Sequence, residues 1–264
     1  MGPWLFIVMI NEIDIPGFEL WKYVDNFTIS EAILKGQQSN IQTAVEIFAS
    51  CAASDKFQLK ETKCKELRIC FSTNGSPNLN SIVINDKQID VVSHAKILGA
   101  NISSDLKWNH HISEVVKKAR KRLLCLSQLR LPGLVPNELV QVHRTCIRPI
   151  TEYACPVFHN GLPVYLSHEL EAVQKRAMRI IFPCFKYDEA LVKANLGTLS
   201  DRRQALTVKL FKKILDNKDS KLGNLLPPHN AKHYNLRKGR RFELFFKTNR
   251  FRNSFIVFNA LKIT

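Results

Sequence analysis

The tetrapeptide Tyr23-Val24-Asp25-Asn26 is the segment whose residue types best suit metal-dependent chemistry. Aromatic and β-branched residues flank it on both sides, which predicts a strand, a tight turn and a second strand. Enzymes that transfer phosphoryl groups with two Mg²⁺ ions can hold the metals with carboxylates on such a turn and on a neighbouring strand. Asp25 is therefore the candidate catalytic residue and metal ligand, with Asn26 beside it. The same four residues also suit an ordinary surface turn, so the tetrapeptide alone does not decide between the two.

A second set of candidates consists of cations on predicted amphipathic helices. From Asp105 onward, apolar residues recur at helical spacing from Ile112 to Leu129, while most of the Lys and Arg side chains fall off that stripe. Two later helical segments carry similar basic clusters. The candidate nucleic-acid-binding residues, in order of preference, are Lys117, Lys118, Arg120, Lys121 and Arg122, then Lys175, Arg176 and Arg179, and then Arg202 and Arg203. The alternative interpretation of each cluster is a solvated helix face.

The distribution of charge favours a polyanionic partner. The chain has a formal net charge of +16, yet residues 1–100 hold 9 Lys and Arg against 11 Asp and Glu. Residues 101–264 hold the other 30 Lys and Arg against 12 Asp and Glu. Such an imbalance on one half of a chain is typical of proteins that bind nucleic acid or another acidic surface. We expect salt-sensitive binding to RNA, DNA or an RNA–DNA hybrid with little sequence preference.

The hydrophobic pattern predicts an α+β fold whose strands all precede residue 105. We expect a helix at residues 5–10 with a buried end, a helix at residues 40–53, a strand within residues 57–71, a hairpin turning at Asn85-Asp86, and a strand over residues 95–102. Four helices follow, the second bent or ended near Pro149, with Ser167 and Ser200 as N-caps of the third and fourth. The predicted domains are residues 1–104, 105–226 and 227–264. The last contains the basic cluster Arg237, Lys238, Arg240 and Arg241 and an apolar end.

Several short motifs follow one another along the chain in a recognisable order. They are Gly2-Pro3-Trp4, Tyr23-Val24-Asp25-Asn26, residues 57–67, Lys96-Ile97-Leu98-Gly99, Asp105-Leu106-Lys107-Trp108, Ile150-Thr151-Glu152-Tyr153-Ala154, residues 170–177 and Leu199-Ser200-Asp201-Arg202-Arg203. This order resembles the C-terminal part of reverse transcriptases from non-long-terminal-repeat (LINE, jockey-like) retrotransposons. The resemblance covers nearly the whole chain, and Glu171-Ala172-Val173-Gln174-Lys175-Arg176-Ala177 is its most diagnostic motif.

The resemblance implies roles for particular residues. The first 104 residues are similar to part of the family's palm, in which the Tyr-Val-Asp-Asp loop binds Mg²⁺, and Leu98-Gly99 is similar to its primer grip. The helical part is similar to the thumb, which grips the template–primer duplex. Two departures imply an inactive polymerase. The second aspartate is Asn26, a neutral amide, and the family's upstream aspartate strand and fingers do not precede this segment. We therefore expect no polymerisation by this chain alone and no Mg²⁺ bound by it alone.

Three alternatives remain open at this point. The chain is similar to what a truncated, non-functional transposon remnant would encode. It could instead be a catalytic subunit completed by a separate fragment. Residues 63–126 also resemble a short N-terminal segment of a tRNA-modifying AlkB homologue, which suggests a dioxygenase or methyltransferase. The chain nevertheless has no His-x-Asp motif for iron and no glycine-rich cofactor loop.

Cysteine usage and hydropathy indicate the compartment. The seven cysteines form no Cys-x-x-Cys pair, which argues against a zinc site and a disulfide framework and favours buried thiols in a reducing environment. The apolar N-terminal stretch of about ten residues is too short to span a bilayer and lacks the basic region of a secretory signal. We expect a protein of the nucleus or cytoplasm, neither secreted nor membrane-spanning.

Overall fold

The computed structural model describes residues 3–34, 36–71, 79–217, 220–229 and 242–262. The chain divides into two compact units, Met1–Lys107 and Trp108–Thr264. The described strands all lie in the first unit and are short, whereas the described part of the second unit is helical. The predicted α+β class is therefore confirmed. The basic cluster from Arg237 to Arg241 and the residues Met1-Gly2 lie outside the described residues.

The first unit combines two helices with short strands paired two by two. Its elements are α1 Pro3–Glu12, β1 Glu19–Tyr23, β2 Asn26–Ser30, α2 Ile41–Ser54, β3 Lys65–Leu67, β4 Val83–Ile84, β5 Lys87–Gln88, β6 Asp90–Val92, β7 His94–Ile97 and β8 Ala100–Ser103. Three pairs are antiparallel, β1 with β2, β4 with β5, and β7 with β8, whereas β3 pairs with β6 in parallel. The described strands therefore form separate ribbons rather than one continuous sheet.

Turn chemistry accounts for two of the antiparallel pairs. The predicted turn at Asn85-Asp86 is confirmed, and both residues have the positive φ of a type I′ turn, 47° and 61°. The single strand predicted over residues 95–102 is wrong, because Leu98 and Gly99 also have positive φ, 46° and 87°, and turn the chain back on itself. The predicted strand ending at Phe71 is likewise wrong beyond Leu67.

Two small apolar clusters lie on either side of α2. Ile13, Ile15, Ala44 and Phe48 form the first, and Val45, Ile82, Ile84 and Ile89 form the second. Helix α1 forms over the predicted residues, and its exposure falls from 83% at Trp4 to 3% at Ile10. Lys22 fastens β1 to this end, because its Nζ donates to the carbonyl oxygens of Ile10 and Asn11 at 3.1 Å each and to that of Ile13.

The described residues of the second unit are mainly helical, and short connections join the helices up to Asp216. Its elements are α3 Asn109–Arg130, α4 Pro136–Val142, a π-helical turn His143–Ile147, α5 Arg148–Glu152, α6 Cys155–Phe158, a 3₁₀ turn His159–Gly161, α7 Val164–Ile181, α8 Tyr187–Ala194, α9 Leu199–Asp216, a 3₁₀ turn Lys221–Leu225, α10 Asn249–Arg252 and α11 Phe255–Lys262. The irregularity predicted near Pro149 is the π-helical turn that precedes it. None of the described helices is long and apolar enough to cross a membrane.

One large core holds this unit together. It contains 21 buried residues among those described and is centred on the contact between α3 and α7. The predicted apolar stripe of α3 is confirmed, since Ile112, Val115, Val116, Ala119, Leu123 and Leu126 are all buried. Phe211, Phe242 and Ala260 form a separate cluster in which α11 packs on α9.

Both predicted N-caps are wrong by a few residues. Helix α7 begins at Val164, directly after Pro163, so Ser167 lies inside its first turn. Pro163 occupies the N-cap position with an extended backbone, φ −59° and ψ 151°, so the helix begins before the serine. In α9 the cap is Thr198 rather than Ser200, and its Oγ1 accepts a hydrogen bond from the Asp201 amide at 3.1 Å.

Candidate nucleic-acid interface

The basic residues of α3 lie outside its buried stripe. Lys117, Lys118, Arg120, Lys121 and Arg122 are all exposed. Lys117 pairs with Glu114 at 3.3 Å, and the hydrogen bond from Lys117 is the main cause of the lowered pKa of that carboxyl group. The other four cations form no ion pair with a described residue. Their charges therefore remain available to an external anion.

The basic residues of α7 are exposed as well, and one of them joins those of α3. Lys175, Arg176 and Arg179 face solvent. Because α3 packs on α7, Arg120 and Arg176 line one groove, which has a volume of about 360 Å³. Ser127 and Glu169 supply its other polar side chains, and the remaining described lining residues are aliphatic or Ala.

Two contacts stabilise the geometry of this surface. The guanidinium of Arg130, at the end of α3, donates to the carbonyl oxygen of Ile180, at the end of α7, at 2.6 Å. The ammonium of Lys175 lies 5.4 Å from the centre of the Tyr187 ring, within the range of a cation–π contact. Sequence reasoning did not select Arg130. Its position at a helix C-terminus, where cations interact favourably with the helix dipole, was the available signal.

The third predicted pair of cations does not belong to this surface. Arg202 is partly exposed, but its Nε donates to Glu152 Oε1 at 2.9 Å, and the same oxygen lies 3.1 Å from Arg148 Nε. Arg203 is fully buried, with 0% of its surface exposed, so its selection as a phosphate-binding residue is corrected.

The burial of Arg203 follows from the register of α9. The spacing of apolar residues in the sequence predicts that Leu206, Leu210 and Ile214 form the buried face of α9. The buried face instead steps by about one helical turn through Leu199, Arg203, Thr207, Phe211 and Ile214. Charge alone did not reveal that Arg203 lies on this stripe, although residues four apart share a helix face.

The motif Glu171-x-x-Gln174 faces inward and joins three helices. The Tyr187 hydroxyl, on α8, donates to Glu171 Oε1, which also accepts from the backbone amide of Leu199 at 3.3 Å. Gln174 Nε2 donates to the Tyr187 hydroxyl and to the Gly197 carbonyl oxygen, both at 3.0 Å. Burial and the bond to Glu171 raise the pKa of Tyr187 well above its usual range. The expected solvated face is therefore formed only by the motif's basic residues.

The tip of the β1–β2 hairpin presents one carboxylate, that of Asp25, to solvent. Tyr23 and Asn26 pair across it, so Asp25 lies at the tip as predicted. Val24 has φ 53°, which is unusual for a β-branched residue. The Asn26 side-chain amide donates to Asp25 Oδ1 at 3.1 Å. The primer-grip-like pair Leu98-Gly99 forms the tip of a different hairpin, β7–β8.

These donors do not suit the Mg²⁺ ion that the resemblance implies. Mg²⁺ favours one or two carboxylates in near-octahedral geometry, together with water and substrate phosphates. The hairpin tip supplies a single carboxylate whose neighbour offers an amide N–H rather than a second anionic oxygen. Among the described residues, no group of three or more His, Cys, Asp or Glu side chains is placed to hold a metal. We derive no catalytic step from this site.

No protein-family model, curated protein or solved structure matches this chain. The relation to reverse transcriptases consequently rests on the order of its motifs alone.

Proposed function

We propose that the helical unit binds the phosphate backbone of nucleic acid through the exposed cations of α3 and α7. The observation that carries this proposal is the shared groove, in which Arg120 of α3 and Arg176 of α7 face the same space. Two helices remote in sequence thereby contribute to one basic surface. Arg179 is exposed three residues after Arg176 and therefore extends this surface on α7.

The chemistry of this surface favours phosphate over bases. Lys and Arg side chains that neutralise phosphates release counterions, which gives affinity without sequence selectivity. Binding of single strands by their bases uses aromatic stacking platforms, and none of the described residues that line the groove is aromatic. We propose RNA, DNA or an RNA–DNA hybrid as the partner, which fits a protein of the nucleus or cytoplasm.

The motif order extends the proposal to the origin of the chain. We propose that it is the C-terminal part of a retrotransposon RNA-directed DNA polymerase, comprising a partial palm and a thumb-like helical unit. It would grip a template–primer duplex without polymerising. Asn26 in place of an aspartate supports the loss of activity. The alternative, a remnant without function, predicts no specific surface for binding.

Fluorescence anisotropy with a labelled 20-base-pair RNA–DNA hybrid tests the proposed surface. We expect Arg120→Gln/Arg176→Gln/Arg179→Gln to weaken binding about 10-fold near 100 mM salt, because three phosphate contacts are lost. The slope of log affinity against log salt between roughly 50 and 200 mM should decrease by about 2 to 3. Circular dichroism establishes that the variant is folded.

A triple variant of α9 serves as the matched control. Lys209→Gln/Lys212→Gln/Lys213→Gln removes the same charge from another exposed helix face. We expect it to retain most of the affinity. Equal losses in the two triple variants would show that net charge, rather than the surface shared by α3 and α7, controls binding. Affinity that does not change with salt would refute phosphate binding altogether.

A further inference from the structure

Arg203 places a positive charge inside the helical unit and uses only part of its hydrogen-bonding capacity. The guanidinium Nη2 donates to Ser167 Oγ at 2.9 Å. Nε and Nη1 are buried and have no hydrogen-bond acceptor among the described residues. Burying a charge without compensation is costly, so the interior must supply a counter-charge. Burial is also the largest cause of the lowered pKa of Arg203.

Glu171 is the carboxylate placed to compensate it. Ser167 and Glu171 are one turn apart on α7 and thus share a face, so the hydrogen bond to Ser167 directs Arg203 toward Glu171. Glu171 Oε1 is occupied by Tyr187 and Leu199, whereas Oε2 is buried and has no donor among the described residues. Of the charged groups around Arg203, Glu171 has the largest effect in raising its pKa.

The unused donors and the unused acceptor are complementary. Arg203 forms no ion pair within 4.0 Å of a described carboxylate, so the two groups do not touch directly. Arg203 Nε and Nη1 together with Glu171 Oε2 provide three polar partners, a number sufficient to hold a bridging water in a protein interior. In a medium of low dielectric constant, opposite charges that are not in direct contact still interact strongly.

We propose that Arg203 and Glu171 act as one buried charge pair that fastens the first turns of α9 to α7. Glu171 contributes twice, since its other oxygen accepts from the first residue of α9 and places negative charge at that helix N-terminus. The pair thereby explains two motifs, Glu-x-x-Gln and Arg-Arg, that nucleic-acid binding does not use. It is independent of the proposed function, because neither side chain belongs to the basic surface.

A double-mutant cycle on the full chain tests the pair. Arg203→Met removes the cation at similar size, and Glu171→Gln removes the anion while keeping an oxygen for Tyr187 and Leu199. Each single change leaves one buried charge unpaired and should lower the folded-to-unfolded ratio, measured by urea unfolding, at least about 100-fold. The double variant should lose less than either single variant, because no unpaired charge remains.

The neighbouring arginine provides the control. Arg202→Met combined with Glu171→Gln should show effects that multiply, because Arg202 pairs with Glu152 instead. The proposal is overturned if the losses of Arg203→Met and Glu171→Gln also multiply, to about 10,000-fold. If a single variant does not fold, a cooperative unfolding transition in the double variant supports the pair, and its absence there overturns it.

Discussion

The two units of this chain differ in how they hold their side chains. Among the described residues, the first has two clusters of four buried apolar residues around one helix, whereas the second packs 21 into one cluster. The segment with the most recognisable chemistry, Tyr23 to Asn26, lies in the weakly packed unit. The surface proposed to bind nucleic acid lies in the well-packed unit. A motif and the rigid frame that a function requires can therefore occur in different parts of one chain.

Removing a central ring from each core should give the largest contrast. Phe158, 1% exposed, contacts the rings of His111 and Trp108 at centroid distances of 5.2 and 6.0 Å. We expect Phe158→Ala to lower the free energy of unfolding by about 3–5 kcal/mol, because the dense surroundings leave a cavity. Phe48→Ala should cost about 2 kcal/mol, because water can enter the smaller cluster.

Hydrogen exchange resolved to peptides of each unit measures both effects. Protection should fall in residues 108–217 for Phe158→Ala and in residues 3–67 for Phe48→Ala. Equal costs for the two substitutions would remove the contrast between the cores.

Acid should act on the helical unit through His143. The pKa of His143 is lowered from 6.5 to about 4, mainly by burial and further by the positive charges of Arg148 and Arg144. Because the folded-state pKa lies below the unfolded value, the unfolded chain binds more protons between these pH values. The free energy of unfolding should therefore be fully retained above pH 6.5 and decrease as the pH falls toward 4. One pKa unit corresponds to about 1.4 kcal/mol, which gives a loss of about 3 kcal/mol.

Urea unfolding at several pH values checks this dependence. His143→Gln should flatten the curve between pH 4 and 6.5, while the same change at the exposed His168 should leave it as it is. An unchanged slope in His143→Gln would assign the acid sensitivity to other groups.

The smallest expected effect concerns the hairpin. In a primer-extension assay with Mg²⁺ on an RNA template, we expect no product from the chain, and hence none from Asp25→Ala or Asn26→Asp. The reason is that one carboxylate, or two adjacent ones with no further carboxylate on a neighbouring strand among the described residues, cannot hold both metals in line with the reacting groups. Mg²⁺-dependent extension that Asp25→Ala abolishes would overturn the inactivity and move the function to the first unit.

Local patterns predicted much of the secondary structure. The apolar stripe of α3 and the turn at Asn85-Asp86 follow from side-chain spacing and from residues that tolerate positive φ, and both interactions are local. Leu98 was missed as a turn residue because leucine rarely adopts positive φ. The early start of α7 was missed because Ser167, a residue type that often caps helices, indicated a later N-cap than Pro163.

The amino-acid sequence by itself determined the excess of positive charge after residue 100, the exposure of the α3 cations and the neutral amide of Asn26 beside Asp25. Those properties depend on composition and on periodicity within single helices. Only the tertiary structure decided that Arg120 and Arg176 share a groove and that Arg203 is buried. The physical reason is that helix packing selects which face of each helix is covered, and identical charges on opposite faces then have opposite roles.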